Sequence, residues 1–150
     1  MATQEQARTT AGAEAPAFMA RDELSWGPAP EVFPAGAQFC VLHGDPGAQG
    51  AMFTVRLKAS HGYCFAPHSH PHDEHVTILS GSLLLGTGPT LDRTRVRTLE
   101  PGSYVFLPRE QFHYAWAADD DTVFQVHAIG PFAITYANPE DDPRNAGLRH

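Results

Sequence analysis

Apolar and polar residues along this chain change places every residue or two, in short runs that end at glycine, proline or aspartate. The run 51–59, AMFTVRLKA, shows the pattern most plainly: Phe53, Val55 and Leu57 fall on one side of an extended chain, and Thr54, Arg56 and Lys58 on the other. Successive side chains of a strand point to opposite faces, so this period of two predicts a half-buried β-strand. Comparable runs occupy 37–44, 62–70, 74–81, 82–88, 96–108 (with a turn at 100–103), 111–117, 122–130 and 131–139. Strands recurring about every 8–12 residues, with turn residues between them and no long helical period, predict an all-β sandwich or barrel.

Composition sharpens this picture. The 150 residues include 13 glycines and 13 prolines, which suits many short segments joined by turns, and the length is enough for one domain with a proper core. Residues 1–20, rich in Ala, Thr and Gln, are expected to form a flexible arm; 21–139 form the folded domain, and 140–150 an irregular tail. The net charge is −7, Lys58 is the sole lysine, and Arg93, Arg95 and Arg97 make the one local basic cluster. Nucleic acid is therefore not an expected partner, and a single lysine leaves little room for Schiff-base chemistry. Cys40 and Cys64 are too few for a disulfide scaffold and are not spaced as a zinc knuckle, which fits a reducing, cytoplasmic setting. The first 20 residues lack the basic start and apolar centre of a secretory signal, and no segment reaches the roughly 18 apolar residues of a membrane span.

The candidate chemistry is concentrated in 67–81, PHSHPHDEHVTILSG. His68, His70, His72, Asp73, Glu74 and His75 crowd together and then give way at once to an apolar strand. Strand alternation points His68 and His70 the same way, and Glu74 shares a face with Val76 and Ile78. With Pro71, His72 and Asp73 at the bend of a hairpin, His68, His70 and Glu74 would converge inside. Two imidazoles and a carboxylate suit a first-row divalent metal. A solvated loop would account for the polar residues, though not for their abutting Val76, Thr77, Ile78 and Leu79. A second stretch, 102–116, brings one more histidine, His113, after a strand and a proline turn.

These two stretches resemble the two motifs of the cupin superfamily. Gly62, His68, His70, Glu74 and Gly81 fit the first motif without a gap, and Gly102, Pro108 and His113 fit the second. Glu110 stands where the second motif has glycine and Ala117 where it has asparagine, which puts the shape of the turn before His113 in question. The resemblance implies a single-domain cupin jelly-roll β-barrel in which His68, His70, Glu74 and His113 bind one divalent metal ion. Fe(II) is the first choice, with Mn, Ni, Co or Zn as alternatives. It further implies a small-molecule substrate and a homodimer. An Fe(II)-dependent dioxygenase is one reading of the function. A non-redox metal-dependent isomerase, cyclase or lyase is a second, with Glu110, Tyr114 or His127 as the base, and a ligand-binding or sensor cupin without turnover is a third.

The remaining histidines have a plain reading beside the chemical one. His72 at the bend is solvated or an outer partner of the metal ligands, and alternation turns His75 to the opposite face from Glu74. His127 could face the interior with Gln125, or be a satisfied structural histidine. Cys64 shares parity with His68 and is expected to look inward as a small buried hydrophobe.

Overall fold

A computed structural model describes residues 14–148. It contains eleven strands: β1 (Gly27–Pro28), β2 (Gln38–His43), β3 (Met52–Ala59), β4 (Cys64–Ser69), β5 (Glu74–Ser80), β6 (Leu83–Thr87), β7 (Arg97–Leu99), β8 (Tyr104–Leu107), β9 (His113–Ala117), β10 (Thr122–Ile129) and β11 (Thr135–Tyr136). The helical content among the described residues is three short 3₁₀ turns, at Arg21–Glu23, Pro139–Asp141 and Pro143–Leu148. No helix there is long and apolar enough to cross a membrane. Of the arm expected at 1–20, residues 1–13 lie outside the described part and 14–20 are exposed. The expected tail begins within the Pro139–Asp141 turn.

The strands form two antiparallel sheets, ordered β1-β2-β3-β10-β5-β8 and β11-β4-β9-β6-β7. The chain changes sheet between β3 and β4, β4 and β5, β5 and β6, β7 and β8, β8 and β9, β9 and β10, and β10 and β11. That winding is a jelly roll, and apart from the consecutive pairs β1–β2, β2–β3 and β6–β7 it sets side by side strands that are distant in sequence. The period of two in 51–59 is fully realised. Phe53, Val55 and Leu57 are buried, while Thr54, Arg56 and Lys58 lie on the outer face. Inward residues of both sheets, among them Leu57, Phe65, Val76, Ile78, Leu83, Phe124 and Val126, make one continuous core. Gly81 turns the chain from one sheet to the other with φ +68°, and a Cβ there would collide with the buried Thr122. Only glycine combines that backbone angle with that proximity at low cost.

Three expectations are corrected. The bend at 71–73 is not a hairpin, because β4 and β5 belong to different sheets. His68 and Glu74 therefore face one another across the sandwich instead of lying side by side. The run 131–139 contributes only the two residues of β11, since Pro131 interrupts the ladder at its start. Cys64 does not look inward. Between Phe65 and His68, β4 advances three residues while its partner β9 advances two, from Ala115 to His113. This bulge at Ala66-Pro67 reverses the parity, so Phe65 and His68 both line the interior while Cys64 is paired with Trp116 on the outside. Pro67, which has no N–H to give the ladder, is the sequence signal for it.

Candidate metal centre and its cavity

His68 and His113 are direct partners across the β4–β9 ladder, so their imidazoles emerge on the inner face at the same level. His70 follows the end of β4, and Glu74 opens β5 on the opposite sheet. Two backbone ties hold these pieces in register. The Glu110 N–H donates to the His70 carbonyl at 2.8 Å, and the Arg109 N–H donates to Asp73 Oδ1 at 2.9 Å. Asp73 thus serves the loop: it fastens the bend at 71–73 to the turn that precedes His113. Glu110 adopts φ +61°, the left-handed conformation that a glycine takes easily. A non-glycine residue thus stands in a backbone conformation that suits the glycine of the motif.

The ring nitrogens of His68, His70 and His113 lie within 4.8 Å of one another, and all three residues are buried. Glu74 places Oε2 3.3 Å from His70 Nε2 and Oε1 3.6 Å from His113 Nε2. The Nδ1 of His68 is 2.6 Å from the Ala66 carbonyl, and that of His70 is 2.9 Å from the Ala133 carbonyl. A carbonyl only accepts, so each Nδ1 carries the proton and each Nε2 presents its lone pair to the centre. Burial, reinforced by the neighbouring imidazoles His113 and His70, holds His68 well below the usual histidine range. Burial first, and His70 second, pull His113 down to about 3. Burial raises the Glu74 carboxyl, with His70 pulling the other way.

This arrangement fits a divalent cation. Three neutral imidazoles and a carboxylate are a donor set for first-row metals. His70 Nε2 is buried without a hydrogen bond, although a carboxylate oxygen is close. Such an orphan is costly unless something else is bound to it.

The cluster forms the polar end of a cavity of about 40 Å³. The rest of the lining is apolar: Phe33, Leu57, Phe65, Val76, Leu83, Leu85, Leu107, Ala115, Phe124, Val126 and Phe132. That is space for roughly three waters, or a compact organic group once the walls adjust. The three residues considered as bases do not line it. Tyr114, next to His113, points to the other side of β9, lies against Gly86 and donates its hydroxyl to the Asp92 carbonyl at 3.0 Å. His127 sits on the outer face of β10, hydrogen-bonded to Thr54 Oγ1 at 2.8 Å. Of its two readings the structural one fits, and the inward alternative is not realised, because Phe124, Val126 and Ala128 hold the inward parity of that strand. Glu110 is exposed in the turn. His72 borders a separate crevice beside Glu74, and His75 is exposed on the outer face.

Sequence reasoning missed the segment 131–134. It supplies the Ala133 carbonyl to His70 and lays Phe132 against that imidazole, with ring centroids 5.4 Å apart and planes 19° apart. Pro131, preceded by a glycine, was the available signal of a specialised turn there.

The comparisons with known proteins agree with this fold. The polyketide cyclase RemF from Streptomyces resistomycificus superposes with a TM-score of 0.70 at 20% identity, over 90% of this chain and 94% of that one. A candidate acetylacetone dioxygenase from Methylibium petroleiphilum PM1 superposes with a TM-score of 0.63 at 17% identity, over 87% and 86% of the two chains. At such identities the likeness establishes the fold. Germin-like protein 3-1 of Oryza sativa subsp. japonica is 33% identical over 76 residues, a segment that is 49% of this chain and 34% of that protein, so the chain matches about a third of that relative's length. Residues 14–133 match the family described as the ChrR Cupin-like domain, and with the two motifs, the jelly roll and the buried histidine triad in place, this chain belongs to that cupin family.

Proposed function

We propose that the protein is a mononuclear metal-dependent enzyme acting on a small, largely apolar organic molecule, and specifically an Fe(II)-dependent dioxygenase. The observation that carries the reading is the buried cluster of three imidazoles and one carboxylate at the end of an otherwise apolar cavity. His68, His70, Glu74 and His113 would hold the ion. When bound, such an ion supplies Lewis acidity and positions at which oxygen donors of a substrate and O₂ can bind together.

What the chain itself contributes follows from the geometry. Burial keeps His68 and His113 neutral, so they need lose no proton before donating a lone pair. The Ala66 and Ala133 carbonyls fix the tautomers of His68 and His70 and aim both Nε2 atoms inward. The apolar walls exclude bulk water and offer no partner to a charged or polyhydroxylated molecule, which would lose its hydrogen bonds on entering.

One feature supports the dioxygenase over a non-redox isomerase, cyclase or lyase. Among the described residues, no ionisable side chain outside the cluster lines the cavity. A reaction that shuttles a substrate proton needs a base within hydrogen-bond reach. Oxygen insertion into an enol or diketone held by two oxygens asks less of the protein. The neighbours described as a polyketide cyclase and as a candidate acetylacetone dioxygenase represent the two chemistries on this fold.

The test is metal analysis of protein purified without chelators or a histidine tag, followed by oxygen uptake of each metal-reconstituted form with diketones and catechols. Iron with oxygen consumption supports the proposal. Zinc with turnover but no oxygen uptake would replace it with the Lewis-acid reading, and ligand binding without turnover would replace it with the sensor reading. The homodimer and the cytoplasmic location are proposals of the same kind. A sedimentation mass near twice the 16.3 kDa of one chain checks the first.

A further inference from the structure

Two spaces reach the buried cluster. The apolar cavity reaches it from within the sandwich. A small crevice of about 10 Å³ reaches it from the side of His72, Ala128, Ile129 and Pro131. Both spaces are bordered by the same three residues, His70, Glu74 and Phe132. Ile129 is 42% exposed and His72 and Pro131 are partly exposed, so the crevice lies on the surface side of the cluster. Glu74 and His70 are buried and belong to the cluster, which leaves Phe132 as the side chain between cavity and crevice that carries no coordinating atom.

Phe132 is held in a defined place. Its ring stacks on the His70 imidazole and meets Phe53 at 5.5 Å, Phe33 at 6.0 Å and Phe39 at 6.2 Å between centroids. Unlike Phe53, which is 1% exposed, Phe132 is only partly buried. It also sits in an irregular segment, with no strand between Gly130 and β11 to lock it into a ladder. A large ring at a boundary, flanked by space on both sides, limits what can pass and what can fit.

We propose that Phe132 closes the outer side of the cavity and sets the size of the molecule admitted to the His68–His70–Glu74–His113 cluster. As a statement about substrate choice this rests on the proposed function; as a statement about the cavity it stands apart, because an uncharged apolar probe needs no metal. Shortening Phe132 joins cavity and crevice into one space. Bulky guests then gain affinity and small guests do not gain in proportion, since extra room confers no extra contact on a molecule that already fits.

The experiment measures binding of benzene and of naphthalene to the purified protein and to Phe132→Leu, Phe132→Ala and Phe132→Trp. Circular dichroism and thermal melting confirm that each is folded. The expected result is a shift of at least about tenfold toward naphthalene, relative to benzene, in Phe132→Ala, a magnitude typical of reshaping an apolar pocket. Phe132→Leu shifts in the same direction by less and carries the test alone if the alanine variant does not fold. Phe132→Trp shifts in the opposite direction. A naphthalene-to-benzene ratio that stays the same across the folded variants overturns the proposal, because a purely structural role would change stability and leave selectivity alone. Failure of both probes to bind any variant overturns it too. Metal per chain, measured on the same samples, separates the two ideas: size selection in a protein that takes up no metal counts against the proposed enzyme and leaves the role of Phe132 standing.

Discussion

Glu74 and His75 are consecutive residues of β5, and their side chains meet opposite surroundings. Glu74 is buried between His70 and His113. His75 is exposed, with Nδ1 2.6 Å from the Tyr104 hydroxyl and its ring against Phe106. Directly across the ladder from His75 stands His127, hydrogen-bonded to Thr54. The outer face of the six-stranded sheet thus has histidines of its own, each with one neutral side-chain partner and solvent within reach. The interior of the sandwich has three, brought from the five-stranded sheet and the end of β4, whose nitrogens converge on the Glu74 carboxylate of the facing sheet, with apolar walls behind. Histidine density alone does not make a site. A concave, dry face does, because there the imidazoles cannot satisfy themselves with water and must share whatever cation enters.

The largest expected effect would break this comparison outright. Alanine at His68, His70, Glu74 or His113 should lower metal affinity by more than the roughly 100-fold that marks the upper end for an outer partner. Alanine at His75 or His127 should leave metal per chain unchanged, and His72→Ala should stay below that bound. If His72→Ala or His75→Ala empties the protein while His113→Ala keeps its ion, the metal is held at the bend or on the outer face and the assignment is wrong.

The same inside–outside contrast can be read in stability, one turn of the pleat further on. Ile78 is fully buried and Leu79 is 39% exposed. Ile78→Ala should cost about 2–5 kcal/mol in urea unfolding, through lost burial and the cavity it leaves. Leu79→Ala should stay within about 0.5 kcal/mol. Equal costs would mean that the outer face is covered in solution.

Acid provides a finer test on metal-stripped protein. With His113 at about 3 in the folded state against an ordinary 6.5, the unfolded chain takes up a proton between those values that the folded chain refuses. Stability therefore falls as pH drops through 6.5, by up to about 1.4 kcal/mol per pH unit from this group. His68 acts in the same direction. Glu74, raised by burial, acts oppositely, since its folded form accepts a proton more readily as pH falls toward 4.5. Two histidines against one carboxyl leave a net loss, and His113→Gln should flatten it. A wild-type profile that is level between pH 6.5 and 4.5 would show that the cluster is wet.

The smallest effect concerns the turn that carries His113. Glu110 holds a left-handed backbone at φ +61°. Glu110→Gly should raise stability by up to about 1 kcal/mol, the relief of a strained angle less the entropy of a freer unfolded chain, with metal content unchanged. A loss of stability would mean that the Glu110 side chain is worth more to the turn than the strain.

Much of this was legible in the chain. Alternation in 51–59 named the buried face of β3, and the spacing of Gly62, His68, His70, Glu74 and Gly81 announced the cluster before any coordinates. Strand period and motif spacing are local quantities, set by a pleat that repeats every two residues. Local rules failed where one extra residue or one distant partner intervened. The bulge at Ala66-Pro67 reversed the parity of Cys64, and β10 turned His127 outward, because parity counted from a neighbour does not survive a bulge and does not say which face of a strand meets the core. Chain order also could not reveal that His68 and Glu74 stand on different sheets, nor that Ala133 and Phe132, more than sixty positions beyond His70, would orient and cover its ring. The sequence by itself determined where metal-ligating side chains are concentrated and where most of the strands run. The winding of the two sheets decided which of those residues meet, what walls enclose them, and that no other acid or base among the described residues reaches the space they share.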